Sequence, residues 1–269
     1  MRKIIRFIQE QKNDLLFTES PEYFLKCCLH AHTNERGIRY KPGDLIKVAK
    51  KRGYDVLSIT EHGSVYFTEE LRELADETGV LLIPGTEAYV GERKSHVLIL
   101  NSENYPPQEK MKKMEDFAAW VKNDSDRKNT LVIAPHPFYL KKCSLGDDLE
   151  NYIDIFDAVE FSFFRPPSEP NRKAVEIAKK YNKPIVGTGD IHRLWQLGTT
   201  FCLIKSEKKR ESIVRTIKES TFTDCYIENY FESCPYYYDK RIITQTRYLS
   251  LWEFFGVISR MLESALRKL

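Results

Sequence analysis

The chain lacks any apolar run near the ~20 residues that a membrane-spanning helix needs, so no transmembrane segment is expected. A secretory leader is not expected either. Met1-Arg2-Lys3 is basic, but the apolar stretch from Ile4 to Ile8 is short and broken by Arg6. Charge of one sign is also missing. The 42 Lys and Arg stand against 39 Asp and Glu, a net charge of +3, which gives no reason to expect a long nucleic acid as partner. Short basic runs such as Lys208-Lys209-Arg210 read as solvated helix faces. Cysteine is scarce and shows no CxxC spacing: Cys27, Cys28, Cys143, Cys202, Cys225 and Cys234 are expected to be reduced thiols in a cytoplasmic protein. No low-complexity tract or long linker divides the 269 residues.

What is present is a rhythm. Strand-like segments at 24–32, 55–60, 80–90, 95–100, 130–134, 158–163, 184–187 and 199–204 are separated by helical patterns at 44–52, 69–79, 108–122, 147–156, 171–181 and 210–219. Thr68 reads as the cap of the second helix and Gly79 as its stop. Such alternation predicts an α/β fold of parallel β/α units, about seven of them, closed into a barrel with its chemistry at the carboxyl ends of the strands. Residues 1–22 form a leading segment, 23–221 the barrel domain and 222–269 an extension. In that extension Leu251, Phe254, Phe255, Ile258, Leu262, Ala265 and Leu266 follow helical spacing. This amphipathic helix is expected to pack on its own domain, with a homodimer contact or a membrane-surface contact as the alternatives.

Only six histidines occur, and five lie at or just past the end of an expected strand: His30, His32, His62, His136 and His192. In LHAHT, His30 and His32 are i and i+2, so they share one strand face, and Ala31 faces the helices. The sixth histidine needs a turn. A hairpin over Gly91-Glu92-Arg93-Lys94 places Tyr89 opposite His96, with Glu87 a diagonal neighbour on the same face. Carboxylates accompany the others: Glu61 precedes His62, and Asp190-Ile191-His192 repeats the i, i+2 spacing. Each piece alone has an ordinary structural explanation. Those explanations must hold five or six times at one rim, and a metal site accounts for the whole set at once.

Six imidazoles with Glu87 and Asp190, and with Glu61 or Glu35 as further candidates, exceed what one tetrahedral ion takes. They suit two or three borderline divalent ions: zinc, manganese or iron. A carboxylate such as Glu87 can bridge two ions, and paired ions lower the pKa of a shared water and bind phosphate oxygens. Arg193, Arg165 and Arg36, near the rim, are candidates to grip phosphate.

The ordered motifs LHAHT, SITEHG, IPGTEAYV, SHVLIL, APHPF and GTGDIHR resemble the PHP domain (polymerase and histidinol phosphatase), over about Cys28 to Ile204. The resemblance implies a distorted (β/α)7 barrel with a trinuclear metal centre and phosphoester hydrolysis. It places His30, His32, Glu87 and Asp190 on a first ion, and Glu87, His96 and His136 on a second. A third ion falls to His62 and His192 with Glu35. Glu87, Asp190 and His192 are then the catalytic residues, and Asn171 lies in a segment near the site. The chain departs from the family pattern at Glu61, where an aspartate is usual, at Ile191, where a small residue is usual, and in the shortened loop that carries Glu35.

The expected function is therefore hydrolysis of phosphomonoesters, of nucleotides or short oligonucleotides among them, by attack of a metal-activated hydroxide on phosphorus. Two alternatives stand beside it. One is an amidohydrolase-type barrel acting on C–N or C–O bonds, which typically wants a bridging lysine that no strand end here supplies. The other is a non-catalytic metal-binding regulatory module.

Overall fold

In the computed structural model, residues 24–33, 38–139, 143–162, 169–229 and 241–246 are described. Ten strands are present among them: β1 (Phe24–Cys28), β2 (Val56–Ile59), β3 (Leu81–Val90), β4 (Ser95–Leu100), β5 (Leu131–Ala134), β6 (Ala158–Ser162), β7 (Ile185–Thr188), β8 (Thr200–Lys205), β9 (Cys225–Asn229) and β10 (Ile242–Thr246). They make one sheet in the order β7-β6-β5-β4-β3-β2-β1-β8-β10-β9. The two ends of this sheet approach each other at Gly187. A Cβ there would lie 2.5 Å from Thr244 Cγ2 of β10 and 2.9 Å from the Phe201 carbonyl of β8. Only glycine lets β7 come so close, and the sheet is nearly closed into a barrel.

The α/β barrel-like architecture is thus as expected. The count of seven β/α units does not describe it, because ten strands take part and two of them run against the rest. β4 pairs antiparallel with β3 and β5, and β8 pairs antiparallel with β1 and β10. A tight hairpin leaves no room for a crossover helix, so the third unit is β/β rather than β/α. Residues beyond 222 supply β9 and β10. The amphipathic helix expected over Leu251 to Leu266, with its dimer contact, lies outside the described residues.

The helices are α1 (Pro42–Lys51), α2 (Glu69–Thr78), α3 (Met114–Asn123), α4 (Asp148–Asn151), α5 (Glu169–Lys180) and α6 (Arg210–Glu219). α2 shows how local chemistry sets an element. Thr68 Oγ1 accepts from Leu71 N, Glu69 and Glu70 sit in the first turn, and Gly79 closes the helix at φ 70°. The helix expected over 108–122 is divided. A 3-10 turn spans Gln108–Lys110, and α3 begins only at Met114. The Met111 carbonyl accepts from Gly91 N of the β3–β4 hairpin, so it is taken by the sheet rather than by a continuing helix. Among the described residues no helix is long and apolar enough to cross a membrane.

Alternation along the strands divides the core into two sides. Cys27, Val56, Ile83, Leu98, Ile133, Val186 and Cys202 form one buried cluster, drawn from seven strands. Cys28 and Leu57, the next residues along β1 and β2, pack instead with Leu45, Ile46 and Ala49 of α1. The pattern breaks at the end of β1. Leu29 belongs with Cys27, yet His30 does not turn back toward α1. Regular pairing accordingly stops at Cys28, short of the expected end at residue 32. It resumes as a single parallel bridge, Ala31 to Ile191.

Candidate metal centre

That bridge joins the two i, i+2 motifs. His32 N donates to the Ile191 carbonyl (2.9 Å) and Ile191 N to the His30 carbonyl (3.2 Å). Tyr40 Oη lies 2.6 Å from the His32 carbonyl and 3.2 Å from that of Ile191, clamping the pair from outside. Ala31 and Ile191 face the helix-side cluster, so the bulky Ile191 fills apolar space there and does not face the histidines. His30, His32 and Asp190 face the other way. Asp190 holds φ 41° and His136 φ 26°, left-handed values uncommon for residues with a Cβ. Backbone strain of this kind concentrates where side-chain placement matters more than local comfort.

Glu87 arrives by the expected hairpin. Tyr89 pairs with His96 in the β3–β4 register, and the diagonal places His96 Nδ1 2.7 Å from Glu87 Oε1. A parallel bridge between His62 and Glu87 fixes the second motif alongside. The result is one buried carboxylate facing five imidazoles. Glu87 Oε1 lies 2.7 Å from His96 and 2.9 Å from His136 Nε2. Glu87 Oε2 lies 2.9 Å from His62 Nε2, 3.2 Å from His32 Nε2 and 3.4 Å from His30 Nε2.

The donor set fits a cation. His30 Nδ1 donates to Glu160 Oε1 (2.8 Å), so in a neutral ring the lone pair is on Nε2, which faces inward. That lone pair meets His32 Nε2 at 3.1 Å and Asp190 Oδ1 at 3.3 Å, and His32 Nε2 is 3.1 Å from the same Asp190 oxygen. Lone pairs facing each other at hydrogen-bond distance repel unless a proton or a metal ion lies among them. Four donors with edges of this length enclose a centre about 2 Å from each, the Zn–N and Zn–O distance. His30, His32, Glu87 and Asp190 form one such group; His62, Glu87 and His96 form another; His96, His136 and Cys143 form a third.

Without an ion, protons take its place. Burial works against a His30 cation, but Asp190, Glu87 and Glu160 outweigh it and push its pKa up to about 10. Burial likewise opposes charge on Glu87 and Asp190. For both, His30 is the leading opposing influence, and with neighbouring imidazoles it holds the carboxyls well below the usual range. The sign follows from His30: its value is raised above the unfolded 6.5, so its contribution to stability is complete below pH 6.5 and fades as pH rises through about 10. The chelated protein is expected to lose melting temperature across that window, with a smaller slope in His30→Gln. A melting temperature flat from neutral pH to pH 10 in the chelated wild type would contradict this.

The other expected site residues are placed as follows. His192 lies at the mouth, its side chain 39% exposed, with Nδ1 3.1 Å from the Asp190 carbonyl and 3.3 Å from Asp190 Oδ1. Its ring is 4.4 Å from that of His32 and 6.3 Å from that of His62. Arg193 follows it at the surface, its backbone N donating to Gln196 Oε1 (2.7 Å). Glu61 Oε1 accepts from Thr33 N (2.8 Å) and Thr33 Oγ1 (2.5 Å), so this oxygen is engaged beside the centre rather than in it. Asn171 staples the end of β6 through Ser162 N and Ser162 O. Glu35, Arg36 and Arg165 lie outside the described residues.

Two residues escaped sequence reasoning. Glu160, fully buried on β6, accepts from His30 Nδ1, from His136 N (2.6 Å) and from Thr188 Oγ1. A carboxylate inside the apolar run AVEFS was the available signal. Cys143, grouped with His96 and His136, carried no motif at all.

Comparison with known proteins bears on the fold and the family. The model of the PHP-associated segment matches residues 168–222. A curated relative, an uncharacterized protein of Methanocaldococcus jannaschii, is 29% identical over 153 residues, 50% of this chain and 82% of its own. Two solved structures share the fold. A two-domain protein of Bacteroides vulgatus, described as containing a predicted PHP-like metal-dependent phosphoesterase, aligns with TM-score 0.58 at 19% identity, over 78% of this chain and 69% of its own. PsfC of Pseudomonas syringae aligns with TM-score 0.57 at 15% identity, over 91% and 99%. The PHP domain model itself matches residues 29–188, from the Leu29 that precedes the first histidine to the end of β7, and the chain belongs to the PHP domain family.

Proposed function

We propose that this protein is a metal-dependent phosphoesterase that hydrolyses phosphomonoesters, with nucleotides and short oligonucleotides among its substrates. The observation that carries the reading is Glu87, whose two oxygens face two separate sets of imidazoles, as a bridging carboxylate does. His30, His32, Glu87 and Asp190 would hold one ion and Glu87, His96 and His136 a second. His62 and His192, with Glu35, would hold a third. Zinc, manganese and iron all suit these donors. When bound, such ions lower the pKa of a water toward neutrality and offset charge on a phosphoryl group.

The chain's own residues do the rest. Glu160 accepts from His30 Nδ1, so it is Nε2 that would turn a lone pair to a bound ion. A carbonyl can only accept, so the contact with the Asp190 carbonyl puts the His192 proton on Nδ1 and leaves Nε2 as a ligand or base. Arg193, next along the chain, would pair with phosphate oxygens as they enter, with Arg36 and Arg165 as further candidates. The amidohydrolase reading loses weight because a glutamate, not a lysine, sits between the ligand groups. The non-catalytic reading loses weight because the donor set is nearly complete.

A substrate panel tests the proposal. With manganese or zinc, an aryl phosphomonoester is expected to release phosphate, an anilide to stay intact, and chelation to abolish turnover. Anilide cleavage, or a fully metal-loaded protein inert toward every phosphate ester, would overturn it.

A further inference from the structure

We propose that Cys143 is a ligand of the ion held by Glu87, His96 and His136, and that its thiolate biases this position toward zinc. The inference rests on the metal-centre reading above and deepens it. The ligand set that the family resemblance implies contains no sulfur. Here the Cys143 Sγ and one ring nitrogen each of His96 and His136 all lie within 4.8 Å of one another.

The position is built rather than incidental. His96 N donates to the Cys143 carbonyl (3.0 Å), tying the residue to β4. Ser95 Oγ donates to the Ser144 carbonyl (3.2 Å), and Ser144 Oγ donates to the His136 carbonyl (3.0 Å). Gly146 N donates to the Pro137 carbonyl (2.8 Å). The same short loop is therefore bonded to both histidine-bearing elements, and the sulfur sits where those elements meet. Cys143 is half-buried, unlike the fully buried Cys27, Cys28 and Cys202, and it carries no disulfide.

The chemistry is simple coordination. The thiol proton passes to solvent as the sulfur–metal bond forms, with no redox step. Glu87 Oε1 meets the same two rings, 2.7 Å from His96 Nδ1 and 2.9 Å from His136 Nε2, so the sulfur would be a fourth protein donor beside them, the number a tetrahedral zinc takes. Thiolate is a soft donor that favours zinc over manganese, whereas carboxylate and imidazole alone discriminate less.

Cobalt(II) substitution reads this directly. Visible d–d absorption reports that the ion is bound, and a near-ultraviolet sulfur-to-cobalt charge-transfer band reports the thiolate. Wild type is expected to show both, and Cys143→Ser and Cys143→Ala to keep the first and lose the second. In the metal-free protein iodoacetamide should label Cys143, as read by peptide mass spectrometry, and zinc should suppress that labelling. Zinc affinity is expected to fall at least about tenfold in Cys143→Ser with manganese affinity little changed. d–d absorption without a charge-transfer band in the wild type overturns the cysteine assignment alone. Absence of d–d absorption overturns the metal centre and the assignment with it.

Discussion

Glu87→Gln is expected to lower kcat/KM for an aryl phosphate by about a thousandfold or more, roughly 4 kcal/mol of transition-state stabilisation. The substitution keeps the shape of the side chain. It replaces an anion with a neutral amide and one acceptor oxygen with an NH2 group. Five imidazole nitrogens lie within 3.4 Å of the two Glu87 oxygens. An amide turned either way directs a donor at nitrogens whose lone pairs should face a cation, and it could not bridge the two ions proposed above. Steady-state assay at saturating metal checks this. Turnover near wild type in a folded Glu87→Gln protein would remove the residue from the mechanism.

Glu160→Gln is expected to act at a distance from the substrate. All three partners of this carboxylate are donors: His30 Nδ1, His136 N and Thr188 Oγ1. A glutamine offers one acceptor and one donor, so at least one buried N–H or O–H meets another. His30 and His136 belong to the first and second ion positions proposed above, so loosening both rings would weaken the two together. Loss of such a supporting carboxylate typically lowers metal affinity on the order of ten- to a hundredfold. Metal titration of Glu160→Gln should show that loss, with kcat largely restored at saturating metal. Unchanged affinity would contradict the role, and lost kcat with unchanged affinity would move Glu160 into the reaction itself.

Much of this centre was legible along the chain because strand geometry is periodic. His30 and His32 face one way and Ala31 the other, as the alternation requires, and the Gly91–Lys94 turn brings His96 to Glu87 in the expected register. What stayed hidden lacks periodicity. Glu160 meets His30 across 130 residues of sequence, and within AVEFS an isolated glutamate looks like the solvent face of an alternating strand. It is buried because the barrel turns that face inward. Cys143 follows His136 on a loop whose path is set by hydrogen bonds to β4, which no local pattern encodes. The expected helix over 108–122 failed for a similar reason: a tertiary hydrogen bond claimed the Met111 carbonyl. Strand direction was partly hidden too, since β8 returns antiparallel beside β1 although its sequence reads like any other buried strand.

Elemental analysis of freshly purified protein, from a medium replete in zinc, manganese and iron, tests most directly whether these residues gather around cations. Two or three divalent ions per chain are expected in wild type and fewer than one in Glu87→Gln. A folded wild-type chain carrying no divalent ion, and taking none up when titrated, would contradict the account at its root.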